Sequence, residues 1–323
     1  MTERVQSALE LPIVARAPGK AVVFGEHAIV HGCPAVVMAL DRFTHVRIER
    51  SDQPRLNGHA EDVARNPYLT AALARYAGPA LNVSVRSDLP RAAGLGSSAA
   101  FCAALTADLA AFVGGSSPAE LAQSSFATER GAQGVGSPGD TSAAVAGGFI
   151  SVNGGDGPVL WKATDGERSW TVHRLADPGW SWLVAYSGVP RNTAQAVRAV
   201  GRRLKETDGP RLLERFTEAA LQGLAGIERK DRAAVGRSLT ANQELLREVG
   251  VSHPRLEALL EAVAPMAEGM KLTGAGVGGS ILALPKPGRE LEASRKIAGA
   301  GGVPYTVHAA RQGAEVVRSM PDE

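Results

Sequence analysis

Residues 90–100 read PRAAGLGSSAA, with Gly94, Gly96, Ser97 and Ser98 set directly before an apolar helical pattern. Glycines let a backbone turn tightly and approach a ligand closely. A helix start offers unpaired N–H groups and the positive end of its dipole. Together they form an anion site, most often for phosphate. The two serine hydroxyls add donors or a metal ligand. The chemistry this arrangement suits is the cradling of a nucleotide triphosphate.

Three charged residues stand in suggestive places. Lys20 follows Pro18-Gly19 and opens the strand-like run 21–24, which Gly25-Glu26-His27 then breaks. The plain alternative is an ordinary strand with a surface lysine. Glu129 shares a helical face with Ala122 and Phe126. A carboxylate on an inward face is expensive unless it meets a cation. That cation is either a salt-bridge partner or a metal. Asp140 lies in Ser-Pro-Gly-Asp-Thr-Ser before an Ala-rich run, the position of a helix N-cap; cap and catalyst are not exclusive. His27 and His31 are four apart, but Gly25 and Gly32 flank them and no HExxH glutamate is present. Zinc is not expected there.

The elements that must position these residues follow from pattern. Residues 13–15 are a short apolar run. Residues 42–49 alternate as a half-buried strand. Residues 51–62 read as a loop, 66–77 as a helix and 81–86 as a strand. After the glycine stretch, Phe101, Leu105, Leu109 and Phe112 mark one helix face. Ser117-Pro118-Ala119-Glu120 is a capping box with proline at the first helical position, and Gly131 is expected to stop that helix. Residues 149–152 read as a strand, and 153–157 and 164–168 as loops around a hairpin. The apolar strand 182–186 opens a second unit. Helical patterns follow at 194–206, 211–229, 232–249 and 254–268. KLTGAGVGGSILAL (271–284) is a glycine loop feeding a strand; a helix near 287–299 and a strand near 303–308 complete the chain.

Composition narrows the classes. A length of 323 residues suggests two domains. Hydrophobic content of 44% allows a sizeable core. With 35 basic and 33 acidic residues, the net charge of +2 does not point to nucleic acid or an acidic membrane. The Arg202, Arg203 and Lys205 cluster alternates with acids and reads as a solvated helix face. Two cysteines, Cys33 and Cys102, make no disulfide framework. The opening MTERVQSALE has no apolar h-region, and no run is long enough to span a bilayer. A cytoplasmic protein is the expectation.

Familiar phosphate loops do not fit. No GxxxxGK[ST] is present, and no HRD or DFG. Gly94-x-Gly96-x-x-Ala99 matches a dinucleotide fingerprint, but Asp88-Leu89-Pro90 separates it from its strand. Gly274-x-Gly276-x-x-Gly279 leads into a strand rather than a helix. A dehydrogenase would also need an acidic residue closing a second strand about 20 residues on, where a helix is expected.

Three stretches do resemble the three motifs of the GHMP kinase superfamily: APGKAVVFGEHAIVHG (17–32), PRAAGLGSSAA and KLTGAGVGGSILAL. Their order and spacing cover nearly the whole chain. Within the superfamily the chain is most similar to the mevalonate kinases, through GEHAIVHG and VPRNT (189–193). Its Ser-Pro-Gly-Asp-Thr segment resembles the archaeal form. The separation of Glu129 and Asp140 also fits the family's metal-binding and catalytic carboxylates. The second motif usually carries glycine where Ala92 stands.

The resemblance implies an α+β, two-domain fold: a ribosomal S5 domain 2-like half (1–175) and a ferredoxin-like half (176–323), with the site in the cleft between them. It implies ATP held by Ala93, Gly94, Leu95, Gly96, Ser97, Ser98 and Ala99, with Gly274 and Gly276 packed against that loop. Mg²⁺ would sit on Ser98 and Glu129. Asp140 would act on the acceptor hydroxyl with Lys20 beside it. Lys20, Glu26, His27, Asp140 and Thr193 would line the pocket for a small-molecule acceptor, mevalonate, in a homodimer. The implied reaction is ATP-dependent phosphorylation of its 5-hydroxyl in isoprenoid synthesis. The alternatives are another kinase of the superfamily, acting on homoserine, phosphomevalonate, a sugar or the 3-hydroxyl of mevalonate, or a non-catalytic sensor. Retention of Lys20, Ser98, Glu129 and Asp140 together argues against the sensor.

Overall fold

The structure, a computed structural model, describes residues 8–90, 92–166, 168–191 and 193–321. Most of the opening segment read for a leader, residues 1–7, lies outside the described residues. So do Arg91 of the glycine stretch, Glu167 of the hairpin loop and Asn192 of 189–193.

The first part of the chain builds one mixed sheet with helices on it. In order it contains β1 (Ile13–Phe24), β2 (Ala35–Arg50), β3 (Arg55–Leu56), α1 (Glu61–Arg65), α2 (Pro67–Leu73), β4 (Leu81–Ser87), α3 (Ser97–Phe112), α4 (Pro118–Gln133), α5 (Gly139–Ala146), β5 (Phe149–Val152), β6 (Val159–Asp165) and β7 (Arg168–Leu175). The second part contains β8 (Trp182–Tyr186), α6 (Thr193–Arg203), α7 (Gly209–Glu228), α8 (Arg232–Glu248), α9 (Pro254–Val263), β9 (Ala267–Thr273), β10 (Ser280–Pro285), α10 (Glu290–Gly299), β11 (Val303–Val307) and β12 (Glu315–Val317). The first sheet runs β12-β1-β2-β5-β7-β6, with β4 on the far part of β2 and β3 parallel to β4. The second runs β11-β8-β10-β9. The last strand thus returns to the first sheet and pairs with β1.

The α7–α8 hairpin joins the two cores. Leu224, Ile227, Val235 and Leu239 pack into the first, while Leu212, Phe216, Leu245 and Leu246 pack into the second. Helix α8 lies directly on β9. A Cβ at Gly269 would stand 2.0 Å from the Gly236 carbonyl oxygen, so only two glycines allow this approach.

Strand β1 departs from expectation in a way that matters. Pro18 and Gly19 do not break it. They mark a shift in register on β2, from Pro18 opposite Phe43 to Lys20 opposite Ala39. Proline in a sheet belongs at such irregularities. The Lys20 N–H donates instead to the Leu95 carbonyl, 2.9 Å away in the glycine stretch.

Other boundaries also move. Asn66 caps α2 through Oδ1, taking the N–H groups of Tyr68 and Leu69. The segment expected as a loop at 51–62 holds β3 and the start of α1. The capping box forms, with Ser117 and Glu120 bonding reciprocally. Gly131 does not stop α4; the helix continues to Gln133 and ends on Gly134 at φ 78°. The helix expected at 254–268 stops at Val263. A short turn containing Pro265 follows, then β9, which pattern reading missed.

Helix α3 is buried nearly all round rather than on one face. It carries Asp108, which is wholly buried with neither carboxylate oxygen hydrogen-bonded among the described residues. Burial alone pushes this carboxyl up to about 9, so it is protonated at neutral pH. In the unfolded chain it ionises near the ordinary value of about 3.9. The unfolded state therefore binds fewer protons between those limits, and stability falls as pH rises through them. Relative to Asp108→Asn, the wild type should lose up to about 1.4 kcal/mol per pH unit across this window. Urea denaturation of both proteins from pH 5 to pH 9 measures the divergence; parallel curves would refute a neutral Asp108.

Candidate active site

The buried Lys20 side chain ends between the glycine stretch and α5. Its Nζ pairs with Asp140 Oδ2 at 2.9 Å and donates to the Gly94 carbonyl at 3.3 Å. The lysine side chain is 2% exposed and the aspartate 31%, so the pair is shut in on one side and open on the other. Asp140 does not cap its helix. Pro138 holds the N-cap position, and Asp140 sits inside the first turn with its carboxylate committed to Lys20. Gly96, at φ 76°, leaves room for this lysine; a Cβ there would stand 2.7 Å from Lys20 Cγ.

Gly96 also opens α3. No side chain caps that helix, so the N–H groups of Ser97, Ser98 and Ala99 have no helical acceptor. Ser98 Oγ donates to Glu129 Oε1 at 2.8 Å, and Gln133 Nε2 donates to the same oxygen at 3.2 Å. Burial first, then the nearby charge of Asp140, pushes the Glu129 carboxyl up to about 7. The Ser98 hydrogen bond and the charges of Lys20 and Arg191 oppose that rise. A buried carboxylate next to a second one is short of positive charge.

The two glycine stretches are pressed together. Ser280 Oγ donates to the Ala93 carbonyl at 2.8 Å, and the Arg191 N–H donates to Ala92 at 3.0 Å. A Cβ at Gly274 would stand 3.2 Å from the Gly94 carbonyl oxygen, and one at Gly279 3.1 Å from that of Ala93. Gly276 faces elsewhere, 2.3 Å in the same sense from the Val251 carbonyl.

Glu26 is buried and forms an ion pair with buried Lys271. Burial pushes the Glu26 carboxyl up and the Lys271 ammonium down, and each partner's charge opposes the other's shift. His27 meets the Ala275 carbonyl at 2.9 Å through Nε2, which must carry the proton since a carbonyl only accepts. Burial lowers its pKa to about 4, so the ring is neutral at pH 7.

Of the residues singled out by sequence, Lys20, Asp140, Ser98, Glu129 and the glycines 94 and 96 come together. Glu26 and His27 lie at the junction of β1 with the second glycine stretch. Thr193 opens α6 with its side chain exposed, and no hydrogen bond or ion pair joins it to the others. Sequence reasoning does not single out Lys271, Thr273, Arg191 or Ser280. Lys271 and Thr273 could have been found as polar residues at the inward positions of a short strand.

Among the described residues, no group of three His, Cys, Asp or Glu side chains is arranged to hold a metal. Ser98 and Glu129 offer two oxygens. That donor set fits Mg²⁺ only when phosphate and water complete its shell.

The model of the GHMP kinase N-terminal domain matches residues 63–148, and that of the C-terminal domain residues 224–303. A mevalonate kinase of Archaeoglobus fulgidus is 31% identical over 85% of this chain and 93% of its own length. The chain belongs to the GHMP kinase family. The crystal structure of L. major mevalonate kinase with R-mevalonate superposes at a TM-score of 0.75, with 22% identity, covering 97% of this chain and all of that one. A Streptococcus pneumoniae phosphomevalonate kinase superposes at 0.74 with 16% identity, covering 92% and 99%. At such identities the likeness shows the two-domain GHMP fold alone, since one fold serves several acceptors.

Ala92, the departure from the family's second motif, adopts φ 55° and points into solvent. A side chain in that region is strained by about 1–2 kcal/mol. Ala92→Gly should therefore raise stability by about 1 kcal/mol, whereas Gly96→Ala should lower it by displacing Lys20. Denaturant midpoints of the two variants test this; a fall for Ala92→Gly would contradict the strain.

Proposed function

We propose that this chain is an ATP-dependent mevalonate kinase that phosphorylates the 5-hydroxyl of (R)-mevalonate in isoprenoid synthesis. The observation that carries the reading is the Lys20–Asp140 pair, half-buried beside an uncapped helix start. The acceptor rests on kinship with enzymes named for mevalonate, 31% identical across most of the chain.

Each residue then has a task. The N–H groups at the start of α3 and in residues 93–96 hold the ATP phosphates. Ser98 and Glu129 hold Mg²⁺, which neutralises phosphate charge when bound. Asp140 accepts the proton of the acceptor hydroxyl. The acceptor oxygen forms its bond to the γ-phosphorus as the bridging bond to the β-phosphate breaks, and ADP leaves. Lys20 orients Asp140 through their ion pair and steadies the transferring group. Glu26, His27 and Thr193 line the acceptor pocket. The reading carries with it a cytoplasmic location, a homodimer and a domain boundary at 175/176. No described helix is long and apolar enough to cross a membrane. Light scattering at the monomer mass would overturn the dimer.

Asp140→Asn should lower kcat by about 10²–10⁴ with ATP affinity nearly intact. A variant within tenfold of wild type would remove Asp140 from the chemistry. Glu129→Gln should raise the Mg²⁺ concentration needed for half-maximal rate; an unmoved titration would return Glu129 to a structural role. The acceptor is tested by turnover on mevalonate, phosphomevalonate and homoserine, with phosphorus NMR of the product. Phosphate on the 5-oxygen is expected, and turnover only on another acceptor would refute the assignment.

A further inference from the structure

Lys271 has no role in the function proposed above, yet its pair with Glu26 is among the most deeply buried charges in the protein. Lys271 stands on β9 in the second sheet; Glu26 follows β1 in the first. The Lys271 ammonium is saturated. Besides Glu26 Oε1 it reaches the Leu272 carbonyl at 2.6 Å and the Val22 carbonyl at 3.4 Å. The carboxylate is not saturated. Glu26 Oε2 is buried and has no hydrogen-bond partner among the described residues.

Joining two strands does not require such a pair. Thr273 already ties β9 to β1, accepting from the Val22 N–H at 2.9 Å and donating to the Val22 carbonyl at 3.0 Å. Apolar side chains hold strands at least as well as a buried ion pair. What the pair adds is an unpartnered buried carboxylate oxygen within electrostatic reach of Lys20. The charged groups facing Glu26 are Lys271 from β9 and Lys20 from β1; its neighbour His27 is neutral.

Resting on the acceptor-site reading above, we propose that Lys271 is a positioning residue that holds Glu26 as an oriented carboxylate and so sets affinity for the acceptor alcohol. Lys271 does not touch the acceptor. It acts through Glu26, whose free oxygen receives an acceptor hydroxyl proton as a hydrogen bond. Without Lys271, burial protonates Glu26 and that acceptor is lost.

The test is steady-state kinetics of Lys271→Met, Lys271→Arg, Glu26→Gln and the double variant Lys271→Met/Glu26→Gln, run on whichever acceptor the wild type phosphorylates. Lys271→Met should raise the acceptor KM by about tenfold or more with the ATP KM within about twofold. Its acceptor KM should fall as pH rises from 6 to 9, as Glu26 regains its charge, while that of the wild type stays flat. Lys271→Arg should restore most of the affinity. The double variant buries no lone charge, so it reports even if Lys271→Met does not fold. Its acceptor KM should match that of Glu26→Gln alone, as expected of residues acting as a unit. An unchanged acceptor KM in Lys271→Met, or a double variant well beyond Glu26→Gln, would overturn the proposal. If the wild type turns over an acceptor other than mevalonate, the substrate reading fails and this comparison still decides the relay. A wild type that phosphorylates no acceptor overturns both.

Discussion

Burying an ammonium group is the constraint on which this structure turns. Lys20 is stripped of water, and a charge there is tolerable only if a carboxylate and carbonyls replace the lost hydration. Asp140 and the Gly94 carbonyl do so. Meeting that need fixes three elements at once. Strand β1 must shift register to free the Lys20 N–H for Leu95. The glycine stretch must pass close enough that Gly96 has no room for a Cβ. Helix α5 must begin before Asp140, so that its first turn presents the carboxylate to Lys20 and the helix start has no side-chain cap.

The rest of the molecule holds this arrangement from behind. The glycine stretch before α3 is anchored in the first core by Leu89, Ala93 and Leu95, and 274–279 backs it through carbonyl contacts at Gly94 and Ala93. Those contacts need the second sheet to be locked to β1. Thr273 and Lys271 provide the polar ties, and the α7–α8 hairpin supplies apolar surface to both cores. The two units thus share a boundary rather than merely touch.

Charge in the site is deliberately unbalanced. The charge of Asp140 adds to the cost of the buried Glu129 carboxylate, with Lys20 and Arg191 as partial compensation. A carboxylate near neutrality in its pKa answers readily to an arriving cation. The same low-dielectric surroundings that make Glu129 costly make any cation bound to it strongly held. Asp108 shows the contrast: wholly buried and with no partner among the described residues, it stays protonated and carries no charge at all.

Much of this was legible in the sequence, and the reasons differ by residue. Glycine-rich turns, the Ser117–Glu120 capping box and the periodic helices are local physics, written in residues a few positions apart. The candidate set of Lys20, Ser98, Glu129 and Asp140 stood out because Lys20 and Ser98 lie in contiguous motifs, Asp140 in a short glycine-flanked segment, and Glu129 is a carboxylate on an inward helix face. Strand β9 was missed because Lys271 sits at an inward position and breaks the apolar alternation. Pro18-Gly19 read as an interruption because the residue that accepts the freed N–H, Leu95, lies far along the chain. Gly131 read as a stop because nothing local shows that Gln133, two residues on, donates hydrogen bonds to Glu129 and Tyr68. By itself the sequence determined the family, most of the elements and the candidate residues. Tertiary structure alone decided that Asp140 pairs with Lys20 instead of capping, that Glu26 meets Lys271, and that β12 returns to the first sheet. Those outcomes rest on contacts between distant segments, where desolvation and charge, not local propensity, select the partner.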